Sequence, residues 1–147
     1  MKTVRVLGVA LGLVVSLSAC AGQQAWTPQV NYAYEVDDGV LYVRWNCFAE
    51  PPGLVMRGFV NNPMSMNPLK NTTLWLSGIT AQGAKVSSTQ DNAIPFMLET
   101  MNRTPFEMKL KTTGTEVRFD MWYQYEIGAF LRDQRGAKMD ACPSVRF

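Results

Sequence analysis

Not one of the 147 residues is a histidine, and that absence decides much of the chemistry open to the chain. Neither a Ser–His nor a Cys–His nucleophile pair can be built, and the usual His-ligated zinc site is excluded with them. General acid–base work would fall to paired carboxylates. Asp37 and Asp38 are adjacent, but side chains one apart in a strand diverge, and the pair stands where a turn is expected, so capping that turn is the simpler role. No Gly-rich loop opens a helix to cradle phosphate; Gly58 and Gly78 stand singly within expected strands. Soft thioether chemistry is the sharper possibility, because Met can select Cu(I). Met64-Ser65-Met66 occupy a Pro-bounded loop, and Met97 and Met101 lie near an expected strand end. A copper site of that kind would normally add imidazoles, and Met56, Met108 and Met121 fall in core phase, where Met fills irregular gaps. The residues therefore point to no catalytic group, no metal and no cofactor.

The N-terminal residues carry a different message. Lys2 and Arg5 precede an apolar stretch from Val6 to Leu17, which is followed by Leu17-Ser18-Ala19-Cys20. A charged head, a short apolar run and small residues before a cut are marks of a secretory leader. The whole resembles a bacterial lipoprotein signal with its lipobox. The resemblance implies that residues 1–19 are removed as a signal peptide, that Cys20 becomes a lipidated N-terminus, and that residues 20–28 are a tether. The remaining residues, 29–147, would form one domain. The competing reading is an ordinary leader with a Cys near its cut. A membrane-spanning helix is a poorer fit, since the apolar run from Val6 to Ala19 falls short of about 20 residues. Ala21 follows Cys20 where an Asp could stand, and in enterobacterial lipoproteins that pattern implies sorting to the outer membrane. The first partner is then a membrane, held through the lipid on Cys20, with the domain facing the periplasm.

Of three cysteines, lipid on Cys20 leaves Cys47 and Cys142 as an even pair in an oxidising compartment, where a disulfide is expected. Two buried free thiols are the alternative. A bond between them closes a loop worth close to the ~4.7 kcal/mol of a 100-residue loop. The formal charge of +2 vanishes once Lys2 and Arg5 leave with the leader. Nucleic acid as a partner would call for a basic excess or stripe, and none is present. Arg132, Arg135 and Lys138 come nearest, but they share their segment with Asp133 and Asp140 and read as a solvated loop.

What must position these residues is a set of strands, since helical periodicity is nearly absent after the leader. Val117 to Glu126 alternates cleanly, with Val117, Phe119, Met121, Tyr123 and Tyr125 on one face. Val40 to Phe48 places Leu41, Val43, Trp45 and Cys47 in one phase, so Cys47 points inward beside Trp45. Asp38-Gly39 joins that strand to Asn31–Val36 as a tight hairpin needing positive φ. Further strands are expected at Leu54 to Asn61, Thr72 to Thr80, Lys85 to Thr89, Ile94 to Thr100 and Pro105 to Thr112. Turn signals roughly every ten residues argue for an antiparallel sandwich or barrel. The expected class is all-β, a single antiparallel immunoglobulin-like β-sandwich after a cleaved lipoprotein signal peptide; an eight-stranded lipocalin-like barrel is the rival.

Gly58-Phe59-Val60-Asn61-Asn62, then Leu69 through Leu76, then Gly83-Ala84-Lys85-Val86 resemble the bacterial envelope sandwiches of the FxLYD and LEA14-like kind. In those families a strand ends in an Asn turn, and a second strand leads through a Gly-containing hairpin into a third. The resemblance implies fold more than function. Trp75 and Trp122 fall off the core phase of their strands, as does Phe59, and together they form the candidate interaction patch. Packing at a sandwich rim is the competing role for them. The reading that follows is a non-enzymatic interaction or accessory module, lipid-anchored at the outer membrane, with an envelope protein as partner and no nucleic acid. A pilotin-like subunit of a secretion assembly and, on the barrel fold, an inhibitor of a wall-degrading hydrolase are the alternatives.

Overall fold

A computed structural model describes residues 31–63, 67–127 and 132–145. The expected leader and tether, Cys20, and Met64-Ser65-Met66 lie outside the described residues. From Asn31 onward the chain forms one compact unit. Its strands are β1 (Tyr34–Asp37), β2 (Tyr42–Glu50), β3 (Gly53–Asn61), β4 (Leu69–Thr80), β5 (Lys85–Leu98), β6 (Arg103–Lys111), β7 (Glu116–Ile127) and β8 (Arg132–Lys138). They build two four-stranded sheets, ordered β1-β2-β3-β6 and β5-β4-β7-β8, with every pairing antiparallel. Both sheets are open, so the sandwich stands and the lipocalin-like barrel is set aside.

Alternation explains why these segments are strands and which way each faces. Leu41, Val43 and Trp45 are fully buried, and Phe119, Met121, Tyr123 and Tyr125 are buried opposite them. Met56, Met108 and Met121 fill the core as their phase implies. Within the first sheet Trp45, Gly58 and Phe106 are direct cross-strand neighbours. Gly58 is needed there, since a Cβ would overlap the Arg44 carbonyl and come within 2.9 Å of the Phe106 ring. The β1–β2 turn forms at Asp38-Gly39, with Gly39 at φ +85°. Asp37 accepts the Gly39 N–H at 2.8 Å, and Asp38 accepts the N–H groups of Val40 and Leu41 at 3.1 and 2.7 Å.

Three expectations need correction. The separate strands at Lys85–Thr89 and Ile94–Thr100 are one strand, β5, because the polar run Gln90-Asp91-Asn92 keeps pairing with β4 through register shifts instead of turning away. The segment holding Arg132, Arg135 and Lys138 is an edge strand and not a loop; β8 pairs along its length with β7. Gln134 and Lys138 share the register of the core-facing Tyr125 and Met121, yet both are exposed, so neither face of β8 required an apolar pattern. Val117 is 52% exposed. The β4–β7 register steps from Ile79–Arg118 to Thr80–Glu116, which makes Val117 the extra residue of a β-bulge and reverses the phase before it.

The C-terminal segment after β8 is bound to the first sheet. Cys47 and Cys142 form a disulfide with Cα atoms 5.7 Å apart. Beside it the Trp45 indole N–H donates to the Ala141 carbonyl at 2.7 Å, and the Ala141 N–H donates to the Phe119 carbonyl. An early strand and the C-terminal segment are thereby tied, as the cysteine pairing implies.

Candidate interaction face

Two sheet faces point outward, and their chemistry differs. On the first sheet the outward rows carry half-exposed ion pairs and stacked cations. Arg57 bonds Glu107 at 2.6 Å and Glu50 at 3.2 Å, while Arg44 pairs with Glu35 at 3.2 Å. Arg57 lies over the Phe48 ring and Arg103 over the Phe59 ring, at 5.6 and 5.4 Å. Phe59 also meets Tyr32 edge to face at 5.0 Å. Its outward phase is as expected, but it stands on the opposite sheet from the two tryptophans. The three aromatics therefore do not form one patch.

Trp75 and Trp122 do come together. They are direct cross-strand partners of β4 and β7, outward on the second sheet, where such neighbours share one face with side chains in contact range. Trp122 is 51% exposed; Trp75 is half-buried, and its indole N–H donates to Gln90 Oε1 at 2.9 Å. The two rings border a groove of about 460 Å³ whose other walls include Ile79, Lys85, Arg118, Asp120 and Met139. Asp120, though nearly fully buried, is held in place by the Asp140 N–H at 3.0 Å and by Arg118 Nε at 3.3 Å. Lys85 makes no ion pair among the described residues. The groove thus joins an aromatic floor to two cations and one carboxylate.

Asp38 and Glu116 have structural roles, whereas Asp140 Oδ1 is buried with no hydrogen-bond partner among the described residues. Besides capping its turn, Asp38 accepts the Tyr125 hydroxyl at 2.8 Å. Burial, and then that bond, push the Tyr125 phenol well above its ordinary range. This contact links the β1–β2 hairpin to the facing sheet. Asp37 and Asp38 therefore both serve the turn as caps.

Glu116 was not singled out by sequence. It is buried, and its carboxylate accepts the N–H groups of Thr113, Gly114 and Thr115 at 2.9–3.1 Å and the Ser87 hydroxyl at 2.7 Å. Burial alone would raise its pKa, but the Thr113 N–H, the Ser87 hydroxyl and the other donors outweigh it and lower the value to about 2. Thr113-Gly114, two residues ahead of it, is the signal the sequence offers: a turn whose N–H groups converge can seat an anion. Met97 and Met101 are 50% and 74% exposed, and no cluster of three His, Cys, Asp or Glu side chains suited to a metal occurs among the described residues.

No protein-family model matches the chain, and no curated protein matches it in sequence. Among solved structures it is similar to the GAE domain of yeast GGA1, at 14% identity and a TM-score of 0.52, covering 72% of this chain and 96% of that one. With the two antiparallel sheets described above, this likeness defines the class: an all-β, immunoglobulin-like β-sandwich. At that identity the likeness concerns fold alone.

Proposed function

We propose that the chain is a lipid-anchored, periplasm-facing lipoprotein of the outer membrane whose sandwich is a non-enzymatic interaction module. It engages an envelope partner through the outer face of the second sheet. One observation carries the choice of face: Trp122 stands half exposed beside Trp75 over a groove, while the opposite sheet's outward rows carry the ion pairs of Arg57 and Arg44 with their carboxylates. Interface energy concentrates in such aromatics, whereas exposed ion pairs contribute about 0–1 kcal/mol each. Leu17-Ser18-Ala19-Cys20 supports the anchoring part of the reading.

Site-specific photocrosslinking in intact cells tests it. A crosslinker replacing Gln124, on β7 outward beside Trp122, should give discrete adducts, and one replacing Lys109 on the first sheet should not. Trp122→Ala should reduce the adducts while shifting stability by less than about 1 kcal/mol, because half its surface is already in water. Equal labelling from both faces would remove the basis for the assignment.

A further inference from the structure

We infer that the Trp75–Trp122 groove is a saccharide site whose ligand is a carboxylate-bearing polymer of pyranose sugars, of the kind found in a bacterial cell wall. This rests on the reading that the second sheet's outer face is the recognition surface, and goes beyond it in naming what is recognised. Shape is the first argument. A stable protein footprint needs about 800 Å² per partner with a broad apolar centre. Here the apolar part is a narrow strip of Trp75, Ile79, Trp122 and Met139 beside Lys85, Arg118 and Asp120. The groove's volume of about 460 Å³ lies within the ~300–1,000 Å³ of small-ligand sites, which combine an apolar lining with a few placed polar groups.

Aromatic chemistry is the second. An indole face is electron-rich, and the axial C–H bonds of a pyranose ring carry the partial positive charge that packs against it. Trp75 and Trp122 are direct partners on paired strands and both line the groove, and the bond to Gln90 holds the Trp75 indole. A sugar's hydroxyls then need partners at the edge of the stacking surface. Arg118 and Lys85 line that edge, with Arg118 oriented by the buried Asp120 beneath it. A donor fixed in this way costs little entropy on binding.

Charge selects among sugars. Arg118 pairs with Asp120, while Lys85, exposed at the groove, makes no ion pair among the described residues and presents its positive charge to a ligand. That charge favours a glycan bearing carboxylates over a neutral one.

The test is co-sedimentation of the full chain, held in detergent, with purified peptidoglycan sacculi, with sacculi whose carboxylates have been amidated, and with chitin as a neutral N-acetylated polymer. Sacculi should retain the protein, and Trp122→Ala should weaken retention about tenfold or more, the loss of one well-packed aromatic contact. Amidation should weaken it several-fold, and Lys85→Ala should abolish the preference for untreated over amidated sacculi. Lys85→Ala provides a second readout at an exposed position should Trp122→Ala unfold. Absence of retention by sacculi, or retention unchanged in both variants, would overturn the inference. If sacculi fail while the Gln124 crosslinker captures a protein, the saccharide ligand is wrong and the recognition face survives. If neither gives a signal, both readings fall.

Discussion

Protonating Glu116 should loosen the fold at a pH where ordinary surface carboxylates do little. Its pKa is held near 2 in the folded protein against an ordinary value of 4.5. Because the folded value is the lower one, the stabilisation is fully present above about pH 4.5 and is lost as pH falls toward 2. A gap of that size corresponds to at most about 3 kcal/mol. Urea unfolding between pH 2 and 6 should show the decline, and Glu116→Gln should flatten it while lowering stability near neutrality, since an amide cannot accept from three N–H groups and a hydroxyl together. A wild-type curve as flat as the variant's would show that the nest does not act. Gly78 belongs to the same arrangement: a Cβ there would overlap the Ser87 hydroxyl and come within 2.5 Å of Glu116 Cγ. Gly78→Ala should therefore cost about 1–3 kcal/mol, the range for forcing extra volume into a packed site. Nothing in sequence alternation marks Glu116, which reads as one more polar strand position.

At the scale of the element, legibility followed burial. β2 and β7 cross the middle of the sandwich with one face covered, so alternation marks both strands and their inward residues, Trp45 and Cys47 included, with Val117 at the β7 bulge the exception. In sequence β5 divides into two strands because the apolar pattern lapses at the polar run Gln90-Asp91-Asn92; Ala93 and Ile94 are buried, yet the three polar residues before them continue the ladder as an edge. β8 left no trace, since an edge strand with polar residues on both faces has no hydrophobic period to display. What holds the chain after β8 is the covalent tie from Cys142 to Cys47, with the Trp45 indole bond beside it. Cys47→Ser should lower stability by roughly 2–5 kcal/mol through the large loop it releases. Non-reducing peptide mapping of the native protein should recover the two cysteine segments as one species; free thiols on both would contradict the tie.

For the whole molecule, strand phase could say that Trp75, Trp122 and Phe59 face outward, but not which sheet each faces out from. Sheet membership is set by long-range pairing, β3 joining β6 while β4 joins β7, and no local pattern encodes it. This is why two of the three patch residues meet and Phe59 does not. The chain enters the sandwich at the first sheet, where the Asn31 carbonyl accepts from Asn46 Nδ2 at 3.1 Å and the Ala33 N–H donates to Asn46 Oδ1 at 2.7 Å. The groove lies on the other sheet. A module tethered ahead of Asn31 and recognising its ligand through the second sheet needs a firm anchor, and acyl chains contribute about 0.8 kcal/mol per buried methylene, with two or more required for stable attachment. The anchoring part of the proposal therefore stands or falls on Cys20. Intact-mass analysis of the native protein should find an N-terminus at Cys20 carrying acyl mass. Cys20→Ala should leave the precursor uncleaved by the lipoprotein peptidase and without that mass, while the Cys47–Cys142 bond still forms, since neither partner depends on the anchor. A native N-terminus elsewhere, with no acyl group, would remove the outer-membrane placement and leave the tryptophan groove to be explained in another compartment.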